Sequence, residues 1–123
     1  MDDVLDVGRT NTVLYVDRWA EAVAFYRDVL GFAVAFENDW FVEFTVHDDS
    51  FVSIADASRS SIRAGGGAGL TLSWKVADVD AARASLSGAG VRVGELTTRF
   101  GTRVFDVFDP AGNRIELWSD SHT

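Results

Sequence analysis

Near the C-terminal end of the sequence a carboxylate sits in the middle of an alternating run. Residues 102–120 read TRVFDVFDPAGNRIELWSD, and the alternation Arg114, Glu116, Trp118 puts those three side chains on one face of a strand, with Ile115 and Leu117 on the other. Glu116 therefore either lies on a solvated face or points into a pocket, where it could act as a general base or meet a ligand. Other groups able to do chemistry are few. The chain has no cysteine, which excludes a thiol nucleophile, a thiolate metal site and a disulfide framework. Of its two histidines, His47 stands beside Asp48 and Asp49 in a turn-like stretch and His122 is next to last. Neither has the spacing on a helix or strand that a metal site requires. No Gly-x-Ser-x-Gly occurs, and neither histidine is placed to activate a hydroxyl. Gly65-Gly66-Gly67 lacks the lysine of a phosphate loop and leads into a strand rather than a helix. The nine Phe and four Trp, by contrast, are ample for stacking on a planar ligand.

These side chains must be positioned by short elements. Residues 10–16 alternate as a strand with Asn11, Val13 and Tyr15 on one face and Thr12, Leu14 and Val16 on the other. Asp17 is a candidate cap for a helix over 18–30, whose Trp19, Val23, Tyr26 and Leu30 recur at helical spacing before Gly31 stops it. Strands are expected at 32–36, 40–46 and 51–55. Residues 56–69, DASRSSIRAGGGAG, are polar, glycine-rich and aperiodic, which suggests a flexible connection. The pattern then repeats: a strand at 70–76, a helix capped by Asp78 and ended by Gly88 or Gly90, a strand at 91–96, and a hairpin. Its turn is Asp109-Pro110-Ala111-Gly112-Asn113, with Pro110 fixing φ and Gly112 and Asn113 tolerating positive φ. Each half is a β-α-β-β-β unit, so the chain reads as one α+β domain over 1–123, with module one at about 9–56, a linker at about 57–69 and module two at about 70–120.

A chain of 123 residues with 47% apolar composition can bury a sizeable core. Its net charge of −8 opposes a nucleic-acid surface. No apolar run approaches a membrane span, and the start is acidic where a signal peptide would be basic, so a cytoplasmic protein is expected.

Matching Asn11 to Thr71, Asp17 to Asp78 and Ser53 to Glu116 gives a near-constant offset of about 60 residues, the trace an internal duplication would leave. Each unit is too small to cover both faces of its sheet, so the two sheets are expected to enclose a shared cavity. The stretch Phe25-Tyr26-x-x-x-Leu30-Gly31-Phe32, the stretch Val76-x-Asp78-Val79-Asp80 and Asp109-Pro110-x-Gly112-Asn113-x-Ile115-Glu116-Leu117 together resemble the glyoxalase, bleomycin-resistance and extradiol-dioxygenase family, also called the vicinal oxygen chelate superfamily. The resemblance covers about Asn11 to Trp118. It implies paired βαβββ modules forming a half-open barrel, frequently completed in a homodimer, and it leaves function open, because the family holds isomerases, dioxygenases, thiol transferases and non-catalytic binding proteins.

Metal-dependent members of that family place ligands on the first and last strands of each module. Carried over, those positions are Asn11, Ser53, Thr71 and Glu116, of which only Glu116 is a usual metal ligand, so neither metal nor cofactor is expected. Tyr15, Phe51, Ser73, Arg114 and Trp118 share strand faces with them, and Trp40 is a further candidate for the ligand site. A carboxylate at 116 favours a cationic or hydrogen-bond-donating aromatic ligand unless Lys75 or Arg114 pairs with it. Two readings follow: a metal-free protein that sequesters an aromatic or cationic small molecule such as an antibiotic, or an enzyme of the superfamily, a lyase, isomerase or dioxygenase-like catalyst, using Glu116 as base or an atypical metal site.

Overall fold

In the computed structural model, which describes residues 4–121, contacts divide the chain into two compact units that meet in sequence between Ala64 and Gly65. His122 lies outside the described residues. In the first unit β1 (Thr10–Val16), β2 (Ala33–Glu37), β3 (Phe41–His47) and β4 (Ser50–Asp56) form a sheet of order β1-β4-β3-β2. β1 runs parallel to β4 and the other pairs are antiparallel. The parallel pair exists because a helical segment carries the chain from β1 across the sheet to its far edge. Leu14, Val16, Val42, Phe44, Val52 and Ile54, alternate residues of three strands, are buried with Ala22, Val23, Phe25 and Tyr26 of the helical segment. Tyr26 stacks on Phe44 with ring centroids 5.9 Å apart. Burying each such side chain contributes roughly 1.5–3 kcal/mol.

The helix expected over 18–30 is built differently. α1 (Trp19–Ala24) gives way to a π-helical turn at Phe25–Val29, closed by the Leu30 N–H donating to the Phe25 carbonyl at 2.9 Å. The consecutive rings of Phe25 and Tyr26, the first two residues of this wider turn, are both buried in the core. The cap expected of Asp17 is not made: Arg18 precedes the helix without a side-chain capping bond and pairs with Glu21 instead. Trp19 Nε1 donates to the Ile54 carbonyl at 2.9 Å and ties the helix start to β4.

The second unit repeats the plan. β5 (Thr71–Lys75), β6 (Thr97–Arg99), β7 (Thr102–Phe108) and β8 (Arg114–Asp120) form a sheet of order β5-β8-β7-β6, with β5 parallel to β8. α2 (Val79–Gly88) is capped as expected, Asp78 Oδ1 accepting the Ala81 N–H at 3.0 Å. Leu72, Val79, Leu86, Phe105, Val107, Ile115 and Leu117 make the core. On the same face, Arg103 of β7 reaches Asp80 of α2 at 2.8 Å.

The strand expected at 91–96 does not form; β6 begins only at Thr97. Gly94 interrupts the alternation, and its N–H donates to the Asp106 carbonyl at 2.8 Å where a ladder was expected. A Cβ at Gly94 would stand 2.3 Å from Asp106 Oδ1 and 3.2 Å from the Asp106 carbonyl oxygen, so a larger residue would have to displace the Asp106 side chain that Arg114 holds.

The turn between β7 and β8 is held by one carboxylate. Buried Asp109 accepts from the Ala111 and Asn113 N–H groups through Oδ1 and from Asn113 Nδ2 through Oδ2, each at 2.9 Å. Gly112 takes φ of 90°, and against it packs Gly67, whose added Cβ would meet the Gly112 carbonyl oxygen at 2.1 Å. The glycine-rich stretch expected to be a flexible connection thus contains a docked turn, preceded by a 3₁₀ turn at Ala57–Arg59 that Asp56 caps. Among the described residues no helix is long and apolar enough to cross a membrane.

Candidate functional site

Each sheet keeps one face for its helix and leaves the other for polar and aromatic side chains. The register defines that open face in rows. In the first unit the rows across β1, β4 and β3 are Asn11-Phe51-Thr45, Val13-Ser53-Glu43 and Tyr15-Ala55-Phe41. In the second, across β5, β8 and β7, they are Thr71-Arg114-Phe108, Ser73-Glu116-Asp106 and Lys75-Trp118-Val104. The facing expected from alternation for Asn11, Tyr15, Phe51, Ser53, Thr71, Ser73, Arg114, Glu116 and Trp118 is the facing found.

In the first unit Ser53, fully buried, donates through Oγ to Asn11 Oδ1 at 2.8 Å. Asn11 Nδ2 donates to Glu43 Oε2 at 3.1 Å, and Arg9 Nη2 reaches the same oxygen at 3.2 Å. The Arg9 guanidinium lies 3.8 Å from the centre of the Phe51 ring. Tyr15 stands one row beyond this cluster. Trp40 meets Phe41 edge-on with centroids 5.5 Å apart, and Phe41 in turn neighbours Phe36 at 6.3 Å. Asn11, Ser53 and Phe51 are thus gathered, while Trp40 belongs to a separate aromatic group.

In the second unit Ser73 Oγ donates to Glu116 Oε1 at 2.8 Å, and Arg114 Nη1 lies 3.6 Å from Glu116 Oε2. Arg114 also donates through Nε to Asp106 Oδ2 at 3.0 Å and through Nη1 to Thr71 Oγ1 at 3.2 Å. Of the two cations expected to compete for Glu116, Arg114 is the partner found. Lys75 turns away to Asp120 at 3.1 Å, its Nζ 5.5 Å from the centre of the Trp118 ring. Beside this cluster is a hollow of about 440 Å³ bounded by Ser73, Arg99, Phe100, Val104, Glu116 and Trp118.

Sequence reasoning did not single out Glu43, Asp106 or Arg99. The first two hold equivalent places, each opposite the last strand's site residue, Ser53 or Glu116. The signal for both was a lone acid at the centre of an apolar alternation, at the same offset as Ser53 and Glu116. Arg99 belongs to a three-residue strand too short to show a period. His47, expected in a loop, ends β3 and is exposed, its Nε2 3.3 Å from Asp48.

Two four-stranded βαβββ units, with site side chains on the paired first and last strands, define a duplicated α+β module protein. The chain belongs to the Glyoxalase/Bleomycin resistance protein/Dioxygenase superfamily, whose family model matches residues 8–117. No curated protein matches the sequence significantly. Among solved structures, TnmS3, an antibiotic binding protein from Streptomyces sp. CB03234, is similar with a TM-score of 0.81 at 22% identity, over 97% of this chain and 100% of that one. A lactoylglutathione lyase from Agrobacterium tumefaciens gives 0.74 at 23% identity, over 91% and 92%. A superfamily member from Sphaerobacter thermophilus DSM 20745 gives 0.78 at 24% identity, over 95% and 100%. At these identities the likeness shows the fold.

Proposed function

We propose that the protein binds an aromatic small molecule and sequesters it without chemical change. The observation that carries this is the mutual satisfaction of the side chains where the family's metal-dependent members hold their ion. Asn11 is bonded to Ser53, Thr71 accepts from Arg114, and Glu116 is engaged by Ser73 and faced by Arg114. These residues do not fit a divalent transition ion, which selects imidazole, thiolate or several carboxylates over neutral amide and hydroxyl oxygens. An adjacent guanidinium repels the ion further.

The enzymatic alternative needs Glu116 as base, yet both of its oxygens already face partners, and a reacting proton would have to displace one. The cationic ligand loses support for the same reason, because Arg114, shared with Asp106 at 3.0 Å, already supplies part of the counter-charge. Aromatic binding keeps its support in Trp118 and Phe100 at the hollow of the second unit. That one structural neighbour is an antibiotic binding protein makes an antibiotic a fitting cargo. A cytoplasmic homodimer completes the reading.

Elemental analysis of purified protein, with mass spectrometry of any co-purifying compound, tests the proposal. The expected result is no stoichiometric Zn, Ni, Mn or Fe and an intact aromatic compound released on denaturation. Close to one such ion per chain, lost to chelator together with turnover of a substrate, overturns it.

A further inference from the structure

The second-unit hollow has a charge left over. Of the cations around it, Lys75 is held by Asp120 and Arg114 by Asp106, Thr71 and Glu116. Arg99 is different: among the described residues its side chain makes no hydrogen bond or ion pair. It lines both the 440 Å³ hollow and an adjoining one of about 460 Å³. The adjoining space also contains Glu95, which has no partner cation among the described residues and repels an anion, beside Asp106. On the Trp118 side the carboxylate present, Glu116, is already faced by Arg114. A ligand anion is therefore favoured on the Trp118 side, where the planar guanidinium fork suits a carboxylate.

The next residue carries a second oddity. Phe100 turns the chain from β6 into β7 with φ of 52° and is fully exposed. Asn or Gly would take that left-handed conformation with less strain, and an exposed ring gains nothing from packing. The turn is nonetheless fixed, since the Ser121 N–H donates to the Gly101 carbonyl at 2.8 Å. A strained, exposed aromatic on an anchored turn at the edge of a hollow that also contains Trp118 is explained by a ring that it covers.

Resting on the binding reading above, we infer that the ligand is a planar aromatic acid, with Arg99 binding its anionic group and Phe100 closing over its ring against Trp118. Isothermal titration calorimetry with 2-naphthoate, 2-naphthamide and 2-naphthylmethylammonium tests this in the wild type, Arg99→Gln, Arg99→Lys and Phe100→Ala, with circular dichroism to verify folding. The wild type should prefer the acid to the amide by about tenfold or more, the size of one charge-assisted hydrogen bond. Arg99→Gln should bring that ratio to about one, Arg99→Lys should retain part of it, and Phe100→Ala should weaken all three probes in similar proportion. Equal wild-type affinities for acid and amide, or an unchanged ratio in Arg99→Gln, overturn the assignment to Arg99 while aromatic binding stands. Affinities unchanged in Phe100→Ala overturn the covering role. Failure of all three probes to bind the wild type overturns this inference and counts against aromatic binding as well.

Discussion

At the scale of single residues the decisive pair is Glu116 and Arg114. Their separation of 3.6 Å, with the Arg114 and Glu116 side chains 32% and 27% exposed, makes a weak ion pair worth at most ~1 kcal/mol. Its consequence is large all the same, because a paired carboxylate no longer calls for a cationic ligand. Arg114 would keep Asp106 and Thr71 if Glu116 lost its charge, and the amide oxygen of a glutamine could still accept from Ser73. Glu116→Gln should therefore lower stability by no more than about 1 kcal/mol in urea unfolding. It should also leave the preference between charged and neutral aromatic amines unchanged. A gain in stability, or a cation preference that disappears with the substitution, would show an unpaired buried charge at 116 and return the site to the cationic reading.

Among the elements, the β7–β8 turn shows how backbone positions a site. Arg114, the first residue of β8, follows directly on the Asp109-to-Asn113 turn, and Gly67 braces that turn from outside. Gly67→Ala meets two penalties: φ of 87° and a 2.1 Å approach to a backbone oxygen that has no flexible side chain to yield. A loss of roughly 2–4 kcal/mol is expected, and a melting temperature lower by about 10 °C. Gly69→Ala is the internal control, with φ of 72° but open space around its Cβ, and should lose only ~1 kcal/mol. Equal melting of the two variants would mean that the bracing contact does not exist in solution. Much of this architecture was legible in the sequence, since strands with one face on a helix keep a strict period of two. Asp78 and Gly31 mark helix ends with the chemistry those ends require. What escaped depended on tertiary context: the π turn that seats Phe25 and Tyr26, the cap that Asp17 does not make, and the 91–96 segment held by one bond at Gly94. In the site, the strand faces were readable, but the partners were not. The choice of Arg114 over Lys75 depends on where Asp120 and Asp106 stand, and alternation alone does not give that.

For the whole molecule, the strands that end each sheet bear on association. The sheets end in β1 and β2, and in β5 and β6. β2 is exposed along its whole length and presents Val34 and Phe36, two large apolar side chains in reach of solvent. An apolar edge of this kind, blunted only by an irregularity between those two residues, is a template for a second chain. The net charge of −8 opposes indiscriminate aggregation, so a closed two-fold pair is the outcome that covers the edge and then stops. Light scattering at micromolar concentration should give twice the chain mass of 13.4 kDa. A variant carrying both Val34→Lys and Phe36→Glu should shift to the single-chain mass while keeping its circular dichroism, because charge on an edge strand discourages pairing without touching the core. A monomeric wild type removes the homodimer from the proposal, and a doubly substituted protein that still elutes as a dimer moves the interface away from β2.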